Sequence, residues 1–413
     1  MDVLSIIRET KKRRIVVAIH YLELGGAEIS LISLLQALDY SKYDVDLFVY
    51  SHRGELMQFI PKEVNLLPEI PEYAQIERPM KDALKDGYWR IVLRRLIAKR
   101  RFARYKKSKH PVDNGAVFGY VFDSVTPVLP SLDYLGEYDL AISFLTPHNI
   151  VAEKVKAKKK AAWIHTDYSK IDVDAELELP VWSKFDHVVS ISDQVTENFL
   201  GVFPSLKDKI VRIDNILSPI FVRERAEQIP PEVVRKEMPK ENGVTNLLSV
   251  GRFCYAKNYD NVPDICKRII ESGVNVRWYL IGYGGDEPLI RSKIAEAGME
   301  NHVIILGKKS NPYPYIKACD IFVQPSRYEG NSVTVREAQI LCIPVVVTDY
   351  PTSRNQVRDG GDGIVVPMDN ESCAEGIVKL FNDTILIRRI SSNLSMTDFG
   401  NLSAVKGIDV LLR

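Results

Sequence analysis

The chain has 413 residues, 46% of them hydrophobic and 26% charged, an ordinary globular composition that is too long for one typical core, so two domains are expected. Lys plus Arg number 55 against 54 Asp plus Glu, a formal net charge of +1, which excludes a global field directed at nucleic acid or another polyanion. The five cysteines, Cys254, Cys266, Cys319, Cys342 and Cys373, form no C-x-x-C pair, which argues against a disulfide frame or zinc site and for a reduced, cytoplasmic compartment.

In chain order, "MDVLSIIRETKKRRIVVAIHYLELGG" offers a short apolar run that ends in Gly-Gly without a small-residue cleavage site. It reads as a buried first strand rather than a signal peptide. No run approaches the ~20 apolar residues a spanning helix needs. "RIVVAIHYL", "YDVDLFVYS", "YDLAISFL", "AAWIHTD" and "HVVSISD" predict strands buried on both faces in the first half, and "TNLLSVGRF", "VRWYLIGYG", "VIILGK", "DIFVQPS" and "PVVVTDY" do so in the second. Near-continuous apolar strands separated by helical patterns mean parallel sheets covered on both sides, so the fold class is α/β, doubly wound, twice over. A Pro-rich and charge-rich stretch separates the halves, giving a first domain over 1–220, a linker over 221–243 and a second domain over 244–390. Residues 391–413 form a last helical segment, a candidate to pack back on the first domain. Two Rossmann-like halves facing each other would leave a deep cleft, and ligands of such sheets bind at the carboxyl ends of strands.

The loops after strands therefore carry the candidates. Gly25 and Gly26 in "HYLELGGAEISL" let a backbone approach a ligand ahead of a helix start, or make a plain tight turn. Arg252 and Lys257 in "SVGRFCYAKN" can clamp a diphosphate, or can be two solvated cations. "LIGYGGDEP" lacks the third spaced glycine of a dinucleotide fingerprint, so Gly282, Gly284 and Gly285 read as a turn. In "PSRYEGNSVTVREAQ", Glu329 and Glu337 stand eight positions apart. On one continuous helix they would point about 80° apart, so they can cooperate only if the helix is broken between them. The plainer reading is a capping box of Thr334 and Glu337. His165 in "WIHTDYS" follows a strand and is either a ligand-facing or a core histidine; His148 in "LTPHN" is a weaker candidate of the same kind.

One feature lies off the strand ends. Residues 89–110, "WRIVLRRLIAKRRFARYKKSKH", carry ten Lys or Arg and no acid, with Trp89, Val92, Leu93, Leu96 and Ile97 at helical spacing. A basic amphipathic helix of this kind can lie on an anionic membrane surface; otherwise its apolar stripe packs on the first domain. No nucleic-acid-binding module accompanies the charge, so nucleic acid is not an expected partner.

Taken in order, "GGAE", "GRF" with Lys257 five residues after its Arg, "LIGYG", "PSRYEG" continuing to "REAQ", and "DGGDGIVVP" resemble the retaining glycosyltransferases of family 4. The resemblance covers the whole chain, including "SISDQVTENFLGVFP" and "KIVRIDNI", and the glutamate pair matches the family's E-x7-E motif. It implies the GT-B architecture, two facing Rossmann-like domains with an interdomain cleft, the first domain binding the acceptor and the second holding most of the nucleotide-sugar donor. It also implies transfer of a sugar, hexosyltransferase type, from a nucleotide diphosphate sugar, most commonly UDP-linked, with retention.

By the same resemblance Glu329 would face the donor sugar and Glu337 would bond the ribose. The backbone N–H groups of Asn331, Ser332 and Val333 would receive the diphosphate, held also by Arg252 and Lys257, with Gly25 and Gly26 closing on it and His165 against the sugar. Helix dipole plus two cations make a divalent metal or other cofactor unnecessary. The phosphate oxygen can itself take the acceptor proton, so no protein base is required. A glycan acceptor, lipid-linked, in surface polysaccharide or lipopolysaccharide synthesis is the expected setting, with the protein peripheral on the inner face of the membrane. Cys342 stands where the family commonly has glycine and Asn355 where a glutamate is common, so the helix end at Cys342 is expected to be adapted or strained. The alternatives are a nucleotide-sugar epimerase, which would need no acceptor, and a nucleotide-sugar-binding protein without turnover.

Overall fold

The computed structural model describes residues 12–23, 25–110, 115–166, 168–169, 171–329 and 332–413. They group into two compact units, one from the chain up to Leu217 together with Leu402–Arg413, the other Ser218–Asn401. The stretch 221–243, read from the sequence as a linker, carries the helices Pro219–Ala226 and Pro231–Glu237 and groups with the second unit. Each of these helices opens with proline in its first turn, where the missing N–H has no partner to lose.

In the first unit the strands are β1 (Arg13–Ile19), β2 (Tyr43–Val49), β3 (Asn65–Leu66), β4 (Tyr138–Ser143), β5 (Ala157–Ile164), β6 (His187–Ser190) and β7 (Ile210–Arg212). They form one sheet in the order β3-β2-β1-β4-β5-β6-β7, every pairing parallel. In the second they are β8 (Thr245–Val250), β9 (Val276–Ile281), β10 (Val303–Gly307), β11 (Ile321–Gln324), β12 (Val345–Thr348) and β13 (Ile364–Val366), ordered β10-β9-β8-β11-β12-β13 and again parallel. The apolar runs are buried because helices cover both faces; Ile15, Val17 and Ile19 on β1 and Leu247 and Leu248 on β8 are sealed from water. These are the two Rossmann-like units of the GT-B fold class.

In both sheets the strand order reverses beside the first strand, between β1 and β4 and between β8 and β11. That reversal opens a gap between the outgoing loops, because their helices run to opposite faces. It decides which loops of each unit become neighbours.

Trp89–Lys109 is a single helix with two apolar sides. Ile91, Ala98 and Phe102 are buried, and Ala98 and Phe102 pack with Ala116 and Tyr120. Trp89, Leu93 and Leu96, on the opposite side at ~100° per residue, are exposed by 60%, 50% and 42%. The stripe expected from the sequence is thus divided, since Val92 turns inward. Two of its cations also have structural work: Arg95 Nη1 donates to Gln75 O at 3.1 Å, and Arg101 pairs with Asp123.

Candidate functional site

The loops after β8 and β11 meet across the reversal in the second sheet. Arg327 binds them together: its backbone N–H donates to Ala256 O at 2.8 Å, and its guanidinium forks onto Asp260 at 2.9 and 2.7 Å and reaches Tyr255 O at 2.7 Å. The β9 loop closes in behind. Phe253 N–H donates to Tyr283 O at 2.8 Å, and a Cβ on Gly282 or Gly284 would collide with the carbonyls of Gly251 and Phe253. Gly282 and Gly284 thus serve close packing of the β9 loop on the β8 loop rather than a turn, while Gly285 faces open space.

Held this way, Lys257 Nζ lies 2.5 Å from Glu329 Oε1. The same oxygen accepts from Ser326 Oγ at 2.6 Å and Gln324 Nε2 at 3.0 Å. Both charged side chains are mostly buried, 19% and 12% exposed, so their attraction is weakly screened. Arg252, in the same loop as Lys257, is exposed and has no ion pair or hydrogen bond among the described residues. The arrangement is a paired cation and carboxylate with a free guanidinium nearby, able to exchange the internal pair for an incoming anion.

The helix Val333–Ile340 begins just after Glu329, with Ser332 as its N-cap, so the two glutamates do not share a helix. Ser332 makes no side-chain cap bond, and Glu337 instead accepts from Tyr313 OH at 2.7 Å, which overturns the capping box of Thr334 and Glu337. Glu337 is 4% exposed, and burial pushes its carboxyl up to about 7. Of the three N–H groups read as diphosphate donors, that of Ser332 already donates to Gln356 Oε1 at 3.0 Å, while Gln356 Nε2 returns a bond to Ser332 O at 3.0 Å. Val333 opens the helix and is exposed; Asn331 lies outside the described residues.

Gly25, Gly26 and His165 belong to the first unit. Gly25 caps the helix Gly26–Ala37, and a Cβ on it would strike the carboxylate of Glu28, which covers this turn; Gly26 faces open space. Burial raises the pKa of Glu28. His165 follows β5 with its ring 4.8 Å from Phe144, its Nε2 buried and without a hydrogen-bond partner, and its pKa lowered to about 3 by burial. His148, the weaker candidate, bonds Ser143 Oγ through Nδ1 at 2.7 Å.

Residues 232–395 match the family of glycosyl transferases group 1. The group 1 segment contains Arg252, Lys257, Glu329 and Glu337. Among curated proteins the chain is 29% identical over 153 residues to the Campylobacter jejuni N-acetylgalactosamine-N,N'-diacetylbacillosaminyl-diphospho-undecaprenol 4-alpha-N-acetylgalactosaminyltransferase, covering 37% of this chain and 41% of that one. It is 30% identical over 146 residues to the Staphylococcus aureus capsular polysaccharide biosynthesis glycosyltransferase CapM, covering 35% of this chain and 38% of that one. The chain spans about half the length of the curated relatives it matches. Among solved structures, Anabaena HepE in complex with UDP and glucose superposes with a TM-score of 0.60 at 15% identity, over 96% of this chain and 98% of that one, a likeness of fold.

Sequence reasoning missed Gln324, Ser326, Arg327 with Asp260, Tyr313 and Gln356. Ser326 and Arg327 stand inside the quoted motif, yet nothing in their spacing says that one bonds Glu329 and the other ties two loops. Tyr313 and Gln356 come from other segments and reach the site only through the fold.

Proposed function

We propose that the protein is a retaining glycosyltransferase of hexosyltransferase type. It moves a sugar from a nucleotide diphosphate donor, UDP-linked, to a lipid-linked glycan in surface polysaccharide or lipopolysaccharide synthesis. The observation that carries the reading is the 2.5 Å pair of Lys257 and Glu329 at the strand-order reversal, with Arg252 unpaired in the same loop, inside the group 1 segment.

A diphosphate entering here draws Lys257 off Glu329 and adds Arg252 and the Val333 N–H, so charge on the departing diphosphate is met by groups already in place. Asn331 keeps the role given by the resemblance. Glu329, with Oε1 committed to Ser326 and Gln324, presents its other oxygen to a sugar hydroxyl. Glu337 has Oε1 on Tyr313, leaving Oε2 for the ribose. The acceptor hydroxyl attacks from the face the diphosphate leaves and passes its proton to a phosphate oxygen, so the site needs neither a protein base nor a metal. His165, neutral at ordinary pH, holds an unpartnered Nε2 that can bond a sugar hydroxyl.

HepE's complex with UDP and glucose supports a UDP donor, and the diphospho-undecaprenol in the name of the Campylobacter relative supports a lipid-linked acceptor. No helix of the described residues is long and apolar enough to cross a membrane. The exposed Trp89, Leu93 and Leu96, flanked by Arg90, Lys99 and Arg100, supply a peripheral contact with an anionic surface on the cytoplasmic side.

The test is thermal denaturation against UDP-, GDP- and other nucleotide diphosphate sugars. A ligand bound only by the folded state raises the melting temperature, and by about 2.7 kcal/mol of stabilisation at a hundredfold excess over Kd. No shift with any of them overturns the reading.

A further inference from the structure

The Glu337 carboxyl is held by a single hydrogen bond among the described residues, from Tyr313 OH to Oε1 at 2.7 Å. Tyr313 opens the helix Tyr313–Ala318, and its N–H donates to Asn311 Oδ1 at 3.3 Å. Asn311 Nδ2 in turn donates to Arg225 O at 2.7 Å, and Arg225 Nη2 donates to Ser310 O at 2.9 Å. Arg225 sits on the helix Pro219–Ala226, in the stretch that the sequence offered as a linker, so this helix fastens the turn that presents Tyr313. The side chains of Arg225, Asn311, Tyr313 and Glu337 are all buried, and water does not compete for their bonds.

Phenylalanine would fill the place of Tyr313 equally well, whereas a buried hydroxyl is costly unless it is bonded. What the hydroxyl adds is a donor, and burial keeps it one, because the phenol is pushed well above its ordinary pKa. It meets the carboxyl that burial raises to about 7, and its bond pulls against that rise. The helix Val333–Ile340, which carries Glu337, packs against Pro219–Ala226, Tyr313–Ala318, β11 and β12. The first brings the buried Arg225, whose charge acts on Tyr313, beside the exposed Arg223 and Glu224. The second brings Tyr315 and Lys317, engaged with Glu237 and Glu227. The two strands carry no titratable residue, and Arg336, on the same helix as Glu337, bonds Gln339 at 3.2 Å. Tyr313 is thus the group that governs the Glu337 carboxyl.

We propose that Tyr313 is a positioning residue for the nucleotide: by holding Oε1 of Glu337 it turns Oε2 to the ribose hydroxyls and lets the carboxyl meet them as a carboxylate. The inference rests on the transferase reading and adds a residue and a proton to it. A hydroxyl bonds an ionised carboxylate about twice as strongly as a neutral one, so ribose binding draws the proton off Glu337 into solvent. Affinity then rises with pH, by up to about tenfold per pH unit while the free carboxyl is protonated, and levels off once it is ionised. Without the Tyr313 hydroxyl the carboxylate loses its donor, and the levelling moves to higher pH.

The experiment is isothermal titration calorimetry of the full-length chain with UDP-glucose and GDP-mannose, whose diphosphates have no proton to lose near neutrality. The Kd of whichever binds is expected to fall with pH and to level near 7, the value to which burial raises Glu337. Tyr313→Phe is expected to weaken binding ~3- to 10-fold at about pH 7 and to move the levelling upward, the loss of one bond to a charged group. In a Glu337→Ala background the same change should add nothing, because Tyr313 acts through Glu337. Should Tyr313→Phe fail to fold, Tyr313→Met, which also lacks the hydroxyl but fills space adaptably, is read in the same way. An equal loss in both backgrounds, or an unmoved pH profile, makes Tyr313 a packing residue and overturns the proposal. If the wild-type protein binds a nucleotide sugar while Tyr313→Phe changes nothing, the transferase reading stands and only this inference falls. If the wild-type protein binds neither, both fall.

Discussion

The loops at the carboxyl ends of the two sheets differ in kind although both sheets reverse their order in the same way. In the second unit the residues at the reversal are charged and already meet each other: Lys257 with Glu329, and Arg327 with Asp260. In the first unit the corresponding loops hold dry imidazoles. His148 and His165 follow β4 and β5, and the Nε2 of each is buried without a partner, whereas His20 after β1 pairs its Nδ1 with Glu77 at 2.7 Å. An incoming anion can replace Glu329 as the counter-charge of Lys257, while the Glu329 carboxylate keeps its hydrogen bonds from Ser326 and Gln324. Buried neutral groups gain most from uncharged hydroxyls, which bring hydrogen bonds without a charge to desolvate.

The largest expected effect strikes the charged half. Lys257→Ala removes one of the groups proposed to meet the departing diphosphate and should lower transfer by ~10²–10³-fold, the usual loss for one such donor. Nucleotide affinity should fall with it, because Lys257 would bind the diphosphate before as well as during reaction. If steady-state transfer and UDP titration both stay at wild-type level, the contrast between the halves has no functional meaning.

Burial also pushes a carboxyl in each unit up to about 7 from its ordinary 4.5, Glu178 in the first and Glu337 in the second. The unfolded chain releases these protons first as pH rises, so between about pH 4.5 and 7 the folded state binds more protons and its stability falls with pH. The stability is intact below the unfolded pKa and is lost through the folded one, by roughly 3 kcal/mol per group over that window. Glu337→Gln keeps an acceptor for Tyr313 OH and should flatten its share of the slope, as urea unfolding at about pH 5 and about pH 8 would reveal. An unchanged slope would mean that Glu337 is ionised in the folded protein and paired more strongly than its burial implies.

A smaller loss is expected from Arg327→Ala. The fork onto Asp260 is partly exposed, 22% and 20%, so its removal should cost about 1–2 kcal/mol rather than the full value of a buried pair. Its further consequence is positional: without the clamp the β8 and β11 loops lose their mutual register, so the nucleotide Kd should rise. A stability loss with unchanged Kd would reduce Arg327 to a structural tie. On the helix Trp89–Lys109, Arg100→Gln should weaken sedimentation with phosphatidylserine vesicles by about 5-fold, the ~1 kcal/mol expected per basic residue at a charged surface. Equal sedimentation with neutral vesicles would leave only the apolar stripe as the contact.

What the sequence disclosed follows from which forces act locally. Ten of the thirteen described strands were legible because a sheet covered on both faces demands unbroken apolar runs, and β1 and β8 have them; β3, β7 and β13, two or three residues long, are too short to leave such a run. Helix geometry showed only that Glu329 and Glu337 need a break between them if they cooperate; the start of the helix at Val333 is what the structure adds. The partners of Glu337 were not, because Tyr313 lies on another helix, and a capping-box pattern fits any Thr-x-x-Glu whether or not a helix starts there. The division of the basic helix into a buried and an exposed apolar side was hidden for a similar reason. Both sides have helical spacing, and only the packing of Ile91, Ala98 and Phe102 tells which is covered.

Cys342 tests the finest of these readings, because glycine was expected there and strain was the expected consequence of its absence. The helix Val333–Ile340 ends with Ile343 N–H donating to Ala338 O and Cys342 N–H to Gln339 O, both at 3.0 Å, the paired bonds of a Schellman ending. That ending places Cys342 at φ 59, the left-handed region that costs a side-chain-bearing residue about 1–2 kcal/mol. Glycine removes this cost but adds freedom to the unfolded chain, so Cys342→Gly should stabilise by only about 0.5–1 kcal/mol. Urea midpoints of the two proteins measure it directly. Because the helix that ends at Cys342 begins beside Glu329, relief of the ending should leave nucleotide affinity unchanged if the N-terminal turn is held by Gln356. A shift in Kd without a shift in midpoint would instead mean that the strain at one end of this short helix sets the position of the other.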